Sequence, residues 1–188
     1  MSWTPPPGSI GLTYSYGWVG IRATLGHLLA GENARYSHAF IVIDPYTIVE
    51  PWPDGVRIAA LADYHGDYVA YGWLVDITDA QRQAIVTNAL ACDGVGHGMA
   101  DYLALAAYRI GLRTRRIVRR VQDPRRLLPI QFIAEVYWRA GLELLPGADP
   151  ATITLCQLAD ELLVGSRWRL HVPTTPPWTP EGRVRWGG

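Results

Sequence analysis

Two runs rich in β-branched and aromatic residues, Tyr36 to Ile43 and Tyr46 to Pro51, flank the dipeptide Asp44-Pro45. Proline fixes its own φ and aspartate bonds its own backbone, so a sharp reversal between two extended runs reads as an antiparallel hairpin. A hairpin here excludes an all-helical fold and makes an antiparallel sheet the organising element. Further short strands are expected at Ser9 to Tyr16, Val56 to Ala60 and Asp67 to Ile77, with a turn over Leu61 to Tyr64 and a last strand beginning at Arg167.

Helices are expected to alternate with this sheet. Apolar residues recur at helical spacing from Gly17 to Ala30 and from Met99 to Ile110. Thr78 and Gln81, three residues apart, form a reciprocal capping pair that opens a helix over Asp79 to Ala91. The glycines of Cys92 to Gly98 break it. Pro129 stands at a permitted first-turn position for a helix running to Ala140, where Gly141 stops it. Thr154 caps a last helix reaching Leu163. Strands and helices in this order predict an α+β fold, a small and mainly antiparallel sheet packed against helices.

With 188 residues and 49% hydrophobic content, the chain is sized for one substantial core. That core is expected over residues 9–171, between proline-rich arms at 1–8 and 172–188. The start, MSWTPPPGS, has neither the basic head nor the apolar centre of a signal peptide. No window approaches a membrane span.

Acidic and basic residues balance at 17 each, and all 17 bases are arginine. Overall charge therefore gives no pull toward nucleic acid or lipid. Locally, seven arginines fall between Arg113 and Arg126 against one acid, Asp123. Ile117, Val118 and Val121 would line one side of a short helix there, leaving Arg115, Arg116, Arg119 and Arg120 on the other. A solvated face or an acidic protein partner fits this pattern better than nucleic acid, because no aromatic platform is interleaved. The eight tryptophans are many for this length. Tryptophan and arginine carry much interface energy, so Trp178, Arg183, Arg185 and Trp186 of the C-terminal arm are expected contacts with other protein subunits, although an arm folded back on its own domain would use them equally well.

Metal and cofactor chemistry find little support. His27, His65, His97 and His171 show no ligand spacing, and two cysteines, Cys92 and Cys156, cannot hold a zinc ion alone. Gly94-Val95-Gly96-His97-Gly98 follows a helix and has no lysine or serine after it, so it fails as a phosphate loop.

One ordered series of motifs carries more. Arg35-Tyr36-Ser37-His38-Ala39-Phe40-Ile41-Val42 is followed by Ile48-Val49-Glu50, Gly55-Val56-Arg57-Ile58 and Leu61-Ala62-Asp63-Tyr64. Gly8-Ser9-Ile10-Gly11-Leu12 precedes it, and Asp101-Tyr102-Leu103-Ala104-Leu105 and Thr154-Leu155-Cys156-Gln157-Leu158-Ala159 come later. This series resembles the circularly permuted NlpC/P60 hydrolases, a papain-like group with YiiX-type members. The resemblance implies His38 as catalytic base and Glu50 as the nearest candidate to orient it. The family's C-S-Q-L-V helix, however, corresponds to the segment from Pro129, which places proline where the nucleophilic cysteine belongs. Cysteine hydrolysis needs a thiolate within reach of its histidine. Cys156, just past the cap Thr154, is the alternative thiol.

The resemblance with this departure implies a degenerate, non-catalytic domain serving as a structural or interaction subunit. The group's occurrence in actinobacteria and their phages suggests a virion or tail component, and otherwise a cytoplasmic protein. The alternatives are a cysteine hydrolase of peptides, amides or thioesters using His38 with Cys156, and a module binding a peptide or acyl ligand in the old active-site groove.

Overall fold

The computed structural model describes residues 3–13, 36–52, 55–65, 67–95, 108, 111–121, 129–150 and 153–172. Among these residues, six strands form one antiparallel sheet: β1 (Ile10–Thr13), β2 (His38–Val42), β3 (Thr47–Trp52), β4 (Gly55–Ala60), β5 (Val69–Leu74) and β6 (Trp168–His171). Their order across the sheet is β4-β3-β2-β1-β5-β6. The described helices are α1 (Asp79–Leu90), α2 (Arg115–Val121), α3 (Pro129–Arg139) and α4 (Leu155–Val164), with a 3-10 turn at Leu61–Tyr64. The α+β reading holds. The expected helices at 17–30 and 99–110 lie outside the described residues, save Tyr108.

Local chemistry places these elements. Asp44 Oδ1 accepts from the backbone N–H groups of Tyr46 at 2.8 Å and Thr47 at 2.9 Å, closing the β2–β3 hairpin. Thr78 accepts from the Gln81 N–H while Gln81 Oε1 accepts from the Thr78 N–H, and Thr154 with Gln157 repeats the arrangement at α4. Gly141 follows α3 with φ of 74°, the left-handed conformation that ends helices.

Successive strand residues point to opposite faces, so the sheet has two cores. Ile10, Leu12, Ala39, Ile41, Val49 and Ala70 look toward α1, α3 and α4, meeting Ile85, Phe132, Ile133, Val136 and Leu158. Phe40, Val42, Ile48, Val69 and Tyr71 look the other way, under Leu61. Two glycines admit close approaches. A Cβ on Gly11 would stand 2.2 Å from the Phe40 ring, and one on Gly72 would stand 2.3 Å from Leu162 of α4.

The described part of the N-terminal arm lies on its own domain. Arg82 donates to the Pro7 carbonyl at 3.1 Å, and Gly8 N–H donates to Val42 O at 2.7 Å. The buried Tyr137 hydroxyl donates to the Gly8 carbonyl. Pro5 is buried, and Trp3 stacks on His171. Proline content excluded regular structure here, but it did not say which surface the segment would follow. Among the described residues no helix is long and apolar enough to cross a membrane.

Candidate functional site

Three adjacent strands and the 3-10 turn converge on one carboxylate. Glu50 opposes Arg57 directly in the β3–β4 ladder. Continuing the β2–β3 register from Ile41 and Val49 sets Glu50 across from Phe40, diagonal to His38. The 3-10 turn then folds Tyr64 back over the same face, where its ring stacks on His38 with centroids 6.0 Å apart and planes 10° apart.

The Glu50 carboxylate is fully used. His38 Nε2 donates to Oε2 at 2.7 Å, and the Tyr64 hydroxyl donates to the same oxygen. Arg57 Nε and one terminal nitrogen donate to Oε1 at 2.9 and 2.7 Å. Glu50 is 0% exposed and His38 4%. Arg57 leads outward from this buried pair, its guanidinium 3.7 Å over the Trp52 ring.

Burial alone would push the Glu50 carboxyl up. The hydrogen bond and charge of His38, followed by the bonds from Tyr64 and Arg57, outweigh burial and hold it below its ordinary value. Tyr64 is driven upward by burial and by its bond to the anion, so it stays protonated and donates. An ionised carboxylate only accepts, so His38 Nε2 carries the proton of the bond between them. The arrangement is an imidazole held in one orientation by a carboxylate.

Cysteine hydrolysis would need a thiol within reach of this imidazole. Cys156 rides on α4, whose Leu162 packs over Gly72 on β5. Gly72 pairs with Ile10, and Ile10 pairs with Ile41, so α4 covers the face opposite the one from which His38 projects. The structure therefore does not bring Cys156 to His38. Cys92 follows α1, buried, with its thiol pushed up by that burial. Pro129 is the first residue of α3, so the helix start that the resemblance assigns to the nucleophile carries neither thiol nor hydroxyl.

Thr13 is a neighbour the sequence reading missed. It pairs directly with His38 in the β1–β2 ladder, is fully buried, and its hydroxyl has no partner among the described residues. The β-strand alternation of Ile10 to Thr13 was visible, but its register against His38 was not.

Of the expected interface residues, Arg115, Arg116 and Arg119 are exposed on α2, while Ile117 and Val118 are half-buried. Arg120 belongs to the same helix. Trp178, Arg183, Arg185 and Trp186 lie outside the described residues. The chain matches no known protein-family model and no curated protein.

Proposed function

We propose that this chain is a non-catalytic structural or interaction subunit of a larger assembly, built on a permuted NlpC/P60 hydrolase fold that has lost its nucleophile. The observation that carries the reading is the separation of the two chemical halves. His38 keeps a complete carboxylate partner, while Cys156 belongs to a helix on the other side of the sheet. The ordered motifs from Gly8 to Ala159 support the family, and Pro129 at the start of α3 supports the loss of activity.

Retention of the polar cluster fits a structural role as well as a catalytic past. A buried carboxylate met by four donors fixes three strands and a turn relative to one another, and a half-satisfied version of it would be worse than an apolar core. The exposed arginines of α2 add a surface suited to carboxylates of a protein neighbour, since guanidinium forks pair with them bidentately. A virion or tail component is the setting that the resemblance favours.

The test is turnover. The full chain is incubated with peptide, amide and thioester substrates beside His38→Ala and Cys156→Ser variants. Equal background rates in all three are expected. A rate that disappears in both variants would establish the hydrolase instead.

A further inference from the structure

The short helix α2 carries its charge in an unfavourable arrangement. Arg115, Arg116 and Arg119 are exposed, and Arg113 just before the helix is exposed as well. Among the described residues none of the four pairs with a carboxylate; the ion pairs there belong to His38, Arg57, Arg139 and Arg167. Arg119 stands four residues after Arg115 and three after Arg116, so like charges share one side of the helix. Arg115 and Arg116 also fall in its first turn, where no acid is present and where the helix dipole disfavours a cation. Seven residues are too few to hold a helix in water by themselves. What opposes the repulsion is local. Thr114 Oγ1 accepts from the Ile117 N–H at 3.4 Å, the Thr114 carbonyl accepts from the Val118 N–H at 3.0 Å, and Ile117 and Val118 are half-buried. An anionic partner along the arginine side would remove the repulsion and leave these contacts standing.

Two neighbouring side chains choose among anions. Leu112 is 51% exposed. A chain spans at most about 3.5 Å per residue, so Leu112 lies within roughly 14 Å of Arg116 and nearer to Arg113 and Arg115. Phosphates along a nucleic-acid backbone would leave that apolar side chain facing charge and water. Tyr108 is half-buried and already holds the Arg113 guanidinium 4.8 Å over its ring, so this ring offers no open platform for a base. The stacked guanidinium keeps its N–H groups in its own plane, where a carboxylate meets them bidentately.

We propose that Leu112, Arg113, Arg115, Arg116 and Arg119 form a docking surface for an acidic segment of another protein subunit, one in which carboxylates flank a bulky apolar side chain. The carboxylates take the arginines, and the apolar side chain covers Leu112. This rests on the reading of the chain as an assembly subunit and names the chemistry of its partner. Docking also relieves the like-charge repulsion along α2, so the helix is firmer in the assembly than in the free chain.

Fluorescence anisotropy of the full chain with labelled peptides tests this. The probe is a peptide in which Asp-Glu pairs flank leucines; one control replaces its leucines by serine, and another replaces its acids by asparagine and glutamine. The leucine peptide is expected to bind wild type at least about tenfold more tightly than either control, with affinity falling as salt rises. Arg116→Gln combined with Arg119→Gln should weaken it by about tenfold or more. Leu112→Ser should lower the leucine peptide to the affinity of the serine peptide and leave the serine peptide unchanged, a coupling that charge alone does not produce. The arginine substitutions relieve repulsion, so the melting temperature is expected to hold or rise, which separates lost docking from lost folding. Equal affinity for the leucine and serine peptides overturns the proposal, as does binding that survives the arginine substitutions or no binding at all. A random-sequence DNA duplex held as tightly as the leucine peptide overturns it too, making the surface a general anion site. Bond cleavage by the chain would remove the non-catalytic reading and leave the docking surface standing; failure of the acidic peptide to bind would leave the argument from His38 and Cys156 intact.

Discussion

His38 reaches Glu50 diagonally across β2 and β3, Nε2 to Oε2 at 2.7 Å, with both side chains withdrawn from solvent. Tyr64 and Arg57 complete the carboxylate's coordination from a 3-10 turn and the neighbouring strand. One buried charge therefore ties together consecutive elements of the chain, from β2 to the 3-10 turn.

Removing that charge should cost more than removing any donor around it. Glu50→Gln leaves His38 and Tyr64 facing an amide and Arg57 without its counter-ion, and is expected to destabilise by about 3–5 kcal/mol, the range for breaking a buried pair. Tyr64→Phe deletes one hydroxyl donor and should cost about 1–3 kcal/mol, because a buried acceptor loses a partner. Arg57 has a side chain 43% exposed, so solvent screening limits Arg57→Ala to about 1 kcal/mol or less. Urea unfolding of the three variants at neutral pH gives the order directly.

The same carboxylate sets an acid limit. Its folded-state value lies below the ordinary 4.5, so the folded protein binds the proton less readily than the unfolded chain does. Glu50's contribution is complete above that ordinary value and is lost as pH falls through the lowered folded one. Stability should therefore decline in the acid region below about pH 4.5, and Glu50→Gln should decline less steeply there. Unfolding midpoints between pH 3 and 7 compare the two slopes.

Much of this arrangement was legible before any coordinates. Threonine followed three residues later by glutamine gives the caps at Thr78 and Thr154, and the hairpin about Asp44-Pro45 follows from short-range turn chemistry. The even spacing of His38 and Glu50 allowed a shared face. Arg57 was less visible, although it lies opposite Glu50, because its role depends on the β3–β4 register. Tyr64 was hidden altogether, since its hydroxyl reaches Glu50 only after the 3-10 turn folds over the sheet. The stack of Trp3 on His171 was hidden too, since it depends on pairing β5 with β6 across about a hundred residues of chain.

Close approach at the two sheet glycines is testable by compensation. Gly72→Ala would place its methyl 2.3 Å from Leu162, and Gly11→Ala would meet Phe40 at 2.2 Å. Each is expected to destabilise by about 1–3 kcal/mol, the usual cost of overpacking. Leu162→Ala should cost less in the Gly72→Ala background than in the wild type, giving a favourable coupling in a double-mutant cycle measured by chemical denaturation. Additive losses would show that the two groups do not compete for the same space.

Thr13 offers the sharpest probe of the surroundings of His38. Its hydroxyl is buried beside the imidazole's strand and makes no hydrogen bond among the described residues. A buried hydroxyl without a partner has lost its water and gained nothing in return, so an apolar group of similar shape should be tolerated or preferred. Thr13→Val is therefore expected to leave stability unchanged or raise it by about 1 kcal/mol, in contrast to the losses at Glu50 and Tyr64. A loss of about 1 kcal/mol or more would mean that the hydroxyl is bonded in solution. If that loss vanished in a His38→Ala background, the partner would be the imidazole or a molecule held between the two. Denaturant midpoints for the two single variants and the double variant separate these outcomes.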